Sequence, residues 1–321
     1  MAYFLLSVSN RQNLELCIKH ALAGFTNSIS GLWTFTEISP GDYVSFLYGA
    51  RVFNLYRVVE KVALKDAEAL PPWPSVTFQS GRTYYFPFRL RLEPLRKLNE
   101  PMVRPEFAYV AENLLLRGGY RRTHFQADQV TLHAVSQMGE VHAEPVEPLS
   151  EGSETFTPRL TWDKTQEQIP YVFRFREVIL HSLVRQYLSV PTHLQELFSQ
   201  MGLAGLRAED FEVLGEKALP EGHIDLLIKD AAPVGASRKI VVEVKTGKAS
   251  PRDVNQVKGY ADELGSECLG SVLIARDFSR RALKEASAQG VSCVAYELQG
   301  VDRSGIYTFG ELLAALKLRL T

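Results

Sequence analysis

The run Lys239-Ile240-Val241-Val242-Glu243-Val244-Lys245 constrains this chain more than any other stretch. Four β-branched residues in seven describe a strand in the interior of a sheet. Yet the same run carries Glu243 and Lys245, two positions apart, whose side chains leave one face of a strand about 7 Å apart at Cα. Burying two such groups is costly unless they are paired or bound to a metal. The fold must therefore build a sheet around this strand and give its two charges a purpose. An ordinary ion pair is the competing explanation for Glu-x-Lys taken alone.

Asp225 lies eighteen positions earlier, in the strand-like run His223–Lys229. A neighbouring strand brings it beside Glu243. Two adjacent carboxylates repel unless a cation joins them. Oxygen ligands of this kind suit Mg²⁺, with Mn²⁺ as substitute, both of which retain waters and take phosphate oxygens. A lysine beside the ion can activate the attacking water and offset charge on phosphorus. Gly222 allows a close turn ahead of Asp225, and His223 points to the other face and is read as structural.

The order of elements around this pair is legible from periodicity. Helices are expected at 173–188 and 193–201, strands at 211–219, 223–229 and 239–245, then a helix at 251–264, a strand at 269–275, a helix at 279–289 and a strand at 291–298. A closing amphipathic helix is expected at 309–320. This order gives an α/β sandwich with a mixed sheet. The N-terminal part reads as richer in strands. Strands are expected at 3–8, 43–48 and 53–59, with a helix opened by a Ser9/Gln12 capping box and running to about Leu22. Phe86, Phe88, Leu90 and Leu92 alternate strictly, a half-buried strand with Arg89 and Arg91 on its open face. Between the two parts, residues 139–168 hold seven acidic and two basic residues among Pro, Gly, Ser and Thr, which reads as a linker. The expected organisation is a domain at 1–138, a linker at 139–168 and a domain at 169–321.

The stretch EGHIDLLI…KIVVEVKTGKASPRDVNQVKGYADEL resembles the PD-(D/E)XK nuclease superfamily, nearest its mismatch-specific and recombination-type branch. The resemblance extends over about 110 residues from Val213, although the proline of the family's name is absent. It implies a restriction-endonuclease-like fold and a magnesium-dependent endodeoxyribonuclease. Asp225 and Glu243 would hold the metal, Lys245 would act at the phosphate, and Gln256, followed by Tyr260, would support the site. It also implies one more acidic residue on the first helix. Glu196 is the first choice, then Glu177, with Glu216 a further candidate.

Trp33 in NSISGLWTF and Trp73 in LPPWPS sit in a second pattern. GLW, SPGDYVSFLYG, LYRVVE, PPWP and YYFPFRLRLEPL together resemble the EVE and YTH domains of the PUA-like fold, a β-barrel, over about residues 1–100. That resemblance implies that Trp33 and Trp73 wall a pocket for a flipped, modified base, with Asn27 and Ser28 as polar readers of its edge. Aromatic walls suit such a base by stacking. Arg82 to Arg122 holds nine basic and four acidic residues. Within it Arg117, Arg121 and Arg122, flanking Gly118 and Gly119, are expected at DNA phosphates.

The joint expectation is a two-domain α+β and α/β protein that acts as a modification-dependent DNA restriction endonuclease. Its partner is double-stranded DNA carrying a modified base, and a homodimer is expected because one site cuts one strand. A mismatch- or structure-specific repair nuclease, or a modification reader with an inactive nuclease domain, are the alternatives. The remaining composition narrows the setting. A net charge of −1 gives no overall polyanion affinity, and no apolar run reaches the roughly 20 residues a membrane span needs. Cys17, Cys268 and Cys293 are dispersed, which points away from zinc and toward free thiols in the cytoplasm.

Overall fold

The computed structural model describes residues 1–49, 51–98, 123–147, 149, 152, 154–219 and 222–321. Contacts divide the chain into two units, Met1–Phe173 and Arg174–Thr321.

The first unit runs β1 (Tyr3–Ser7), α1 (Arg11–His20), β2 (Leu22–Phe25), α2 (Ile29–Glu37), β3 (Tyr43–Tyr48), β4 (Arg51–Ala63), β5 (Val76–Thr77), β6 (Thr83–Tyr84), β7 (Phe88–Lys97), β8 (His124–Ala127), α3 (Gln129–Ser136), β9 (Glu140–Val141), β10 (Arg159–Thr161) and β11 (Val172–Arg174). Its main sheet has the order β2-β7-β4-β3-β1-β8, with β9 added to β7. Among the described strands of this sheet only β1 and β3 pair in parallel. Among the described residues this sheet keeps two edges, and the closure that a barrel requires is not among their pairings. Tyr3, Leu5, Leu47, Val52, Leu55 and Val135 pack as a core. The first helix is capped by Asn10, whose side chain accepts from the Asn13 N–H, and not by Ser9.

Two expectations for this unit are corrected. Arg91 does lie toward solvent, paired with Glu60 at 2.6 Å, but Arg89 is fully buried. It donates to the Phe86 and Pro71 carbonyls at 3.1 and 2.7 Å and faces the Trp73 ring. Those acceptors remove the penalty that the alternation argument assumed would keep an arginine outside. The stretch read as a linker belongs to the first unit. His142 donates its backbone N–H to Leu95, Phe156 to Ala63 and Lys65 to Glu154. Composition misled here because the segment is held by backbone hydrogen bonds, which its polar side chains do not announce.

The second unit runs α4 (Glu177–Leu188), α5 (Pro191–Gln200), β12 (Phe211–Leu219), β13 (Gly222–Asp230), β14 (Lys239–Ala249), α6 (Pro251–Leu264), β15 (Cys268–Phe278), α7 (Arg280–Gln289), β16 (Val291–Leu298), β17 (Ile306–Thr308), α8 (Phe309–Ala315) and β18 (Leu316–Leu320). Its six-stranded sheet has the order β12-β13-β14-β15-β16-β18. β12, β13 and β14 form an antiparallel meander. β14, β15 and β16 are parallel, joined by the crossover helices α6 and α7. The mixed sheet is the expected one. Val241, Val254, Val257, Leu273 and Ala282 bury the helices on it. A capping box of Ser250 and Asp253 with Pro251 in the first turn starts α6. The closing helix is shorter than expected. It stops at Ala315, and Leu316-Lys317-Leu318-Arg319-Leu320, which alternates with period two, pairs antiparallel with β16. No helix of the described residues is long and apolar enough to cross a membrane.

Candidate active site

The ladder between β13 and β14 runs from Lys229 opposite Lys239 to Leu226 opposite Val242 and stops there. Asp225 is the next residue of β13. Its carboxylate takes over, accepting the Val244 N–H at 2.8 Å. The strands part where the side chains of Asp225 and Glu243 converge, while β14 stays paired to β15 on its other edge. Lys245 reaches back to donate to Glu243 Oε1 at 2.6 Å. The sheet therefore brings Asp225, Glu243 and Lys245 together, as their spacing required.

The electrostatics of this trio are strained. Glu243 is fully buried, and its Oε2 has no hydrogen-bond donor. Burial first and the adjacent Asp225 second raise the Glu243 carboxyl, and with the Lys245 ammonium only partly offsetting them it stands at about 8. Burial likewise lifts Asp225 to about 6, against the Val244 N–H and Lys245. For Lys245 burial opposes the charge, but the Glu243 hydrogen bond and the surrounding carboxylates outweigh it and hold the ammonium at about 12. Two carboxyls that resist ionising, one with an orphan oxygen, are what a divalent cation would relieve. Among the described residues no group of three or more His, Cys, Asp and Glu side chains is arranged to hold a metal. Asp225 and Glu243 would supply two ligands, and Mg²⁺ commonly takes the rest from water and phosphate. The residues present fit that ion.

The remaining acidic position is corrected. Glu196 is exposed on α5, where its charge raises the Tyr187 phenol after burial does. Glu177, at the start of α4, is the residue at the site. It accepts from the Thr246 N–H at 3.3 Å and lies 3.8 Å from Lys245 Nζ. Glu216 stands on β12 between the pairs Gly215–Leu226 and Lys217–Ile224, with a left-handed φ of 38°. One turn along α4 from Glu177, the buried His181 places Nε2 3.5 Å from Asp225 Oδ2. Sequence reasoning missed it, although Glu-x-x-x-His at i, i+4 puts both residues on one helix face. Tyr296 was also missed. Its hydroxyl donates to the Thr246 carbonyl at 2.8 Å and braces the strand beyond Lys245.

Gln256 does not touch the carboxylates in any described contact. It donates to the Tyr260 hydroxyl at 3.2 Å. That ring fills the space a Cβ would need at Gly222. Gln256 and Tyr260 thus lock α6 against the start of β13, three residues ahead of Asp225.

In the first unit Trp33 and Trp73 are both enclosed, 7% and 4% exposed. Trp33 meets His124 edge-on at 4.5 Å. Trp73 lies against Phe86 and over Gly24, which leaves no room for a Cβ. Asn27 is committed elsewhere: its side chain donates to the Thr83 carbonyl at 3.1 Å and accepts from the Tyr85 N–H at 3.4 Å. Ser28 caps α2, accepting from the Gly31 N–H at 3.2 Å. Ser28 Oγ also meets the Thr26 hydroxyl at 2.8 Å. Arg117, Arg121 and Arg122 lie outside the described residues.

No family model matches the chain, and no curated protein matches it. Among solved structures it is similar to a repair endonuclease from Pyrococcus abyssi, at 23% identity and TM-score 0.24, covering 32% of this chain and 43% of that one. Apo EndoMS is matched over 44% of its length, so the chain spans under half of these two. A complex of EndoMS with double-stranded DNA gives 15% identity and TM-score 0.26 over 75% of both chains. The MspJI restriction endonuclease with an oligonucleotide gives 15% and 0.20, over 97% of this chain and 66% of that one. At such TM-scores the likeness carries no argument, and what the site does is read from its own geometry.

Proposed function

We propose that the second unit is a divalent-cation-dependent DNA endonuclease and that the first unit directs it to DNA bearing a modified base. One observation carries the hydrolytic part: Glu243 Oε2 is buried without a donor beside Asp225, on the strand that presents Lys245. A bound Mg²⁺ would polarise the phosphoryl oxygens and acidify the attacking water. Asp225, fixed by the Val244 N–H, and Glu243, fixed by Lys245, hold the ligand oxygens in place. Lys245, between Glu243 and Glu177, keeps a positive charge where the phosphorane would gain a negative one.

The modified-base part is supported by the resemblance to EVE and YTH domains, in which Trp33 and Trp73 would be the walls. Asn27 and Ser28 lend it no support. The test is incubation of the full chain with plasmids carrying 5-methylcytosine, 5-hydroxymethylcytosine or N6-methyladenine, with Mg²⁺, with Mn²⁺ and with chelator. Cation-dependent cutting confined to one modified plasmid is the expected result. Equal cutting of unmodified mismatched duplexes would leave the endonuclease and remove the reader. No cutting of any substrate with either ion would remove both.

A further inference from the structure

Strands β5 and β6 form a two-stranded hairpin of their own, apart from the main sheet. Val76 pairs with Tyr84 and Thr77 with Thr83. The turn closes with the Phe78 N–H donating to the Arg82 carbonyl at 3.0 Å and Gly81 at a positive φ. By the two-residue period, Val76, Phe78, Arg82 and Tyr84 share one face, and Thr77 and Thr83 take the other. That first face is open to solvent: Phe78 is 55% and Val76 48% exposed. Phe78 meets Tyr84 edge-on at 5.3 Å, and the Arg82 guanidinium lies 4.8 Å over the Tyr84 ring. Arg82 has no carboxylate partner among the described residues, and from Pro74 to Leu92 the chain holds no acidic residue.

Both feet of the hairpin are pinned. At the first, buried Arg89 holds the Pro71 carbonyl and stacks on Trp73, which lies on Gly24. At the second, Asn27 binds the Thr83 carbonyl and exchanges two hydrogen bonds with Tyr85. A fold that ties both ends so firmly and leaves Phe78 in water is presenting an aromatic surface. This explains Asn27, Trp73 and Arg89 together, as supports of one projecting element.

We infer that the hairpin is a nucleic-acid contact, with Phe78 stacking on a base at an opened duplex step and Arg82 meeting the adjacent phosphate. The choice of DNA over a protein partner rests on charge: a cation without a carboxylate on an acid-free aromatic face complements a polyanion with exposed π-surfaces. The inference rests on the DNA-binding part of the function proposed above.

The test is binding of the full chain, in chelator so that nothing is cut, to a fluorescent duplex with one mismatched step, across a salt series. Phe78→Ala should weaken binding about 5- to 150-fold, the range expected for losing one base–aromatic stack, with an unchanged salt slope. Phe78→Trp should restore it. Arg82→Ala should lower the salt slope by about one phosphate contact, near 0.9 in log–log units. Phe78 is exposed, so these variants fold; thermal melting confirms it. Parental affinity in both Phe78→Ala and Arg82→Ala overturns the inference while leaving the endonuclease intact. The same result accompanied by loss of a dimer in sedimentation overturns it in favour of a protein face. Failure of the parental chain to bind any DNA overturns this inference and the function together.

Discussion

Arg89 on β7 and Glu243 on β14 are both fully enclosed ionisable side chains on inner strands, and the two units treat them in opposite ways. Arg89 is given two carbonyls and an aromatic face. Glu243 is given Lys245 on one oxygen, nothing on the other, and a second carboxylate nearby. A buried charge whose partners are complete fixes geometry, here the Pro71–Trp73 loop. A buried charge left incomplete stores a demand for something from outside. Burial alone separates neither case from the other; the accounting of partners does.

The comparison breaks first at Lys245. If the incomplete trio is catalytic, Lys245→Ala should lower cleavage at least about 100-fold, the usual cost of removing one group that stabilises transition-state charge. DNA affinity should stay near parental, since phosphate capture is not this residue's task. A purified, folded variant that still cuts at a tenth of the parental rate would make the trio an ordinary ion pair.

Arg89→Met tests the other side. Two part-buried carbonyls lose their donor, at up to about 1–3 kcal/mol for each group left unsatisfied. A melting midpoint lower by several degrees is expected, with Mn²⁺ affinity of the second unit unchanged. Arg89→Lys should rescue it only in part, because the shorter side chain lacks the planar fork that spans the Phe86 and Pro71 carbonyls. Loss of Mn²⁺ binding alongside the melting shift would show that the two charges are not separable as argued.

How much of this was legible beforehand depends on the range of the interaction. Asp225, Glu243 and Lys245 could be read because strand period and β-branched density are local properties of the sequence. The mixed sheet followed for the same reason. Glu177 could not be separated from Glu196, since each is one glutamate on an amphipathic helix. Which of them meets Thr246 is decided by how α4 packs, 69 positions away in sequence. Arg89 was misplaced because alternation assumes that charge goes to water, and the Pro71 carbonyl that cancels the rule comes from a loop. The end of the chain was misread because LKLRL supports period two as well as an amphipathic helix, and an edge strand was available at β16.

Glu177 and Glu196 give a contrast of intermediate size. Glu177→Gln removes a carboxylate 3.8 Å from Lys245 and should reduce cleavage about 10-fold, on the order of a hydrogen bond to a charged group. Glu196→Gln should cut at the parental rate. Reversed results would return the acidic position to α5 and imply that α4 carries only structure.

The smallest effect is the most direct reading of incompleteness. An unfolded glutamate ionises near about 4.3, whereas folded Glu243 keeps its proton until about 8. Between these values the native state binds more protons than the unfolded one, so metal-free stability falls as pH rises. Asp225 adds to the same fall up to about 6. Glu243→Gln cannot titrate, yet its amide oxygen still accepts from Lys245. In chelator the variant should therefore melt close to the parent at pH 5 and clearly above it at pH 8. Saturating Mg²⁺ should erase the advantage, because the ion replaces the proton on the parental carboxylates and has less to bind in the variant. Parallel pH profiles for parent and variant in chelator would mean that Glu243 is ionised and satisfied in the apo fold, and the distinction from Arg89 would collapse.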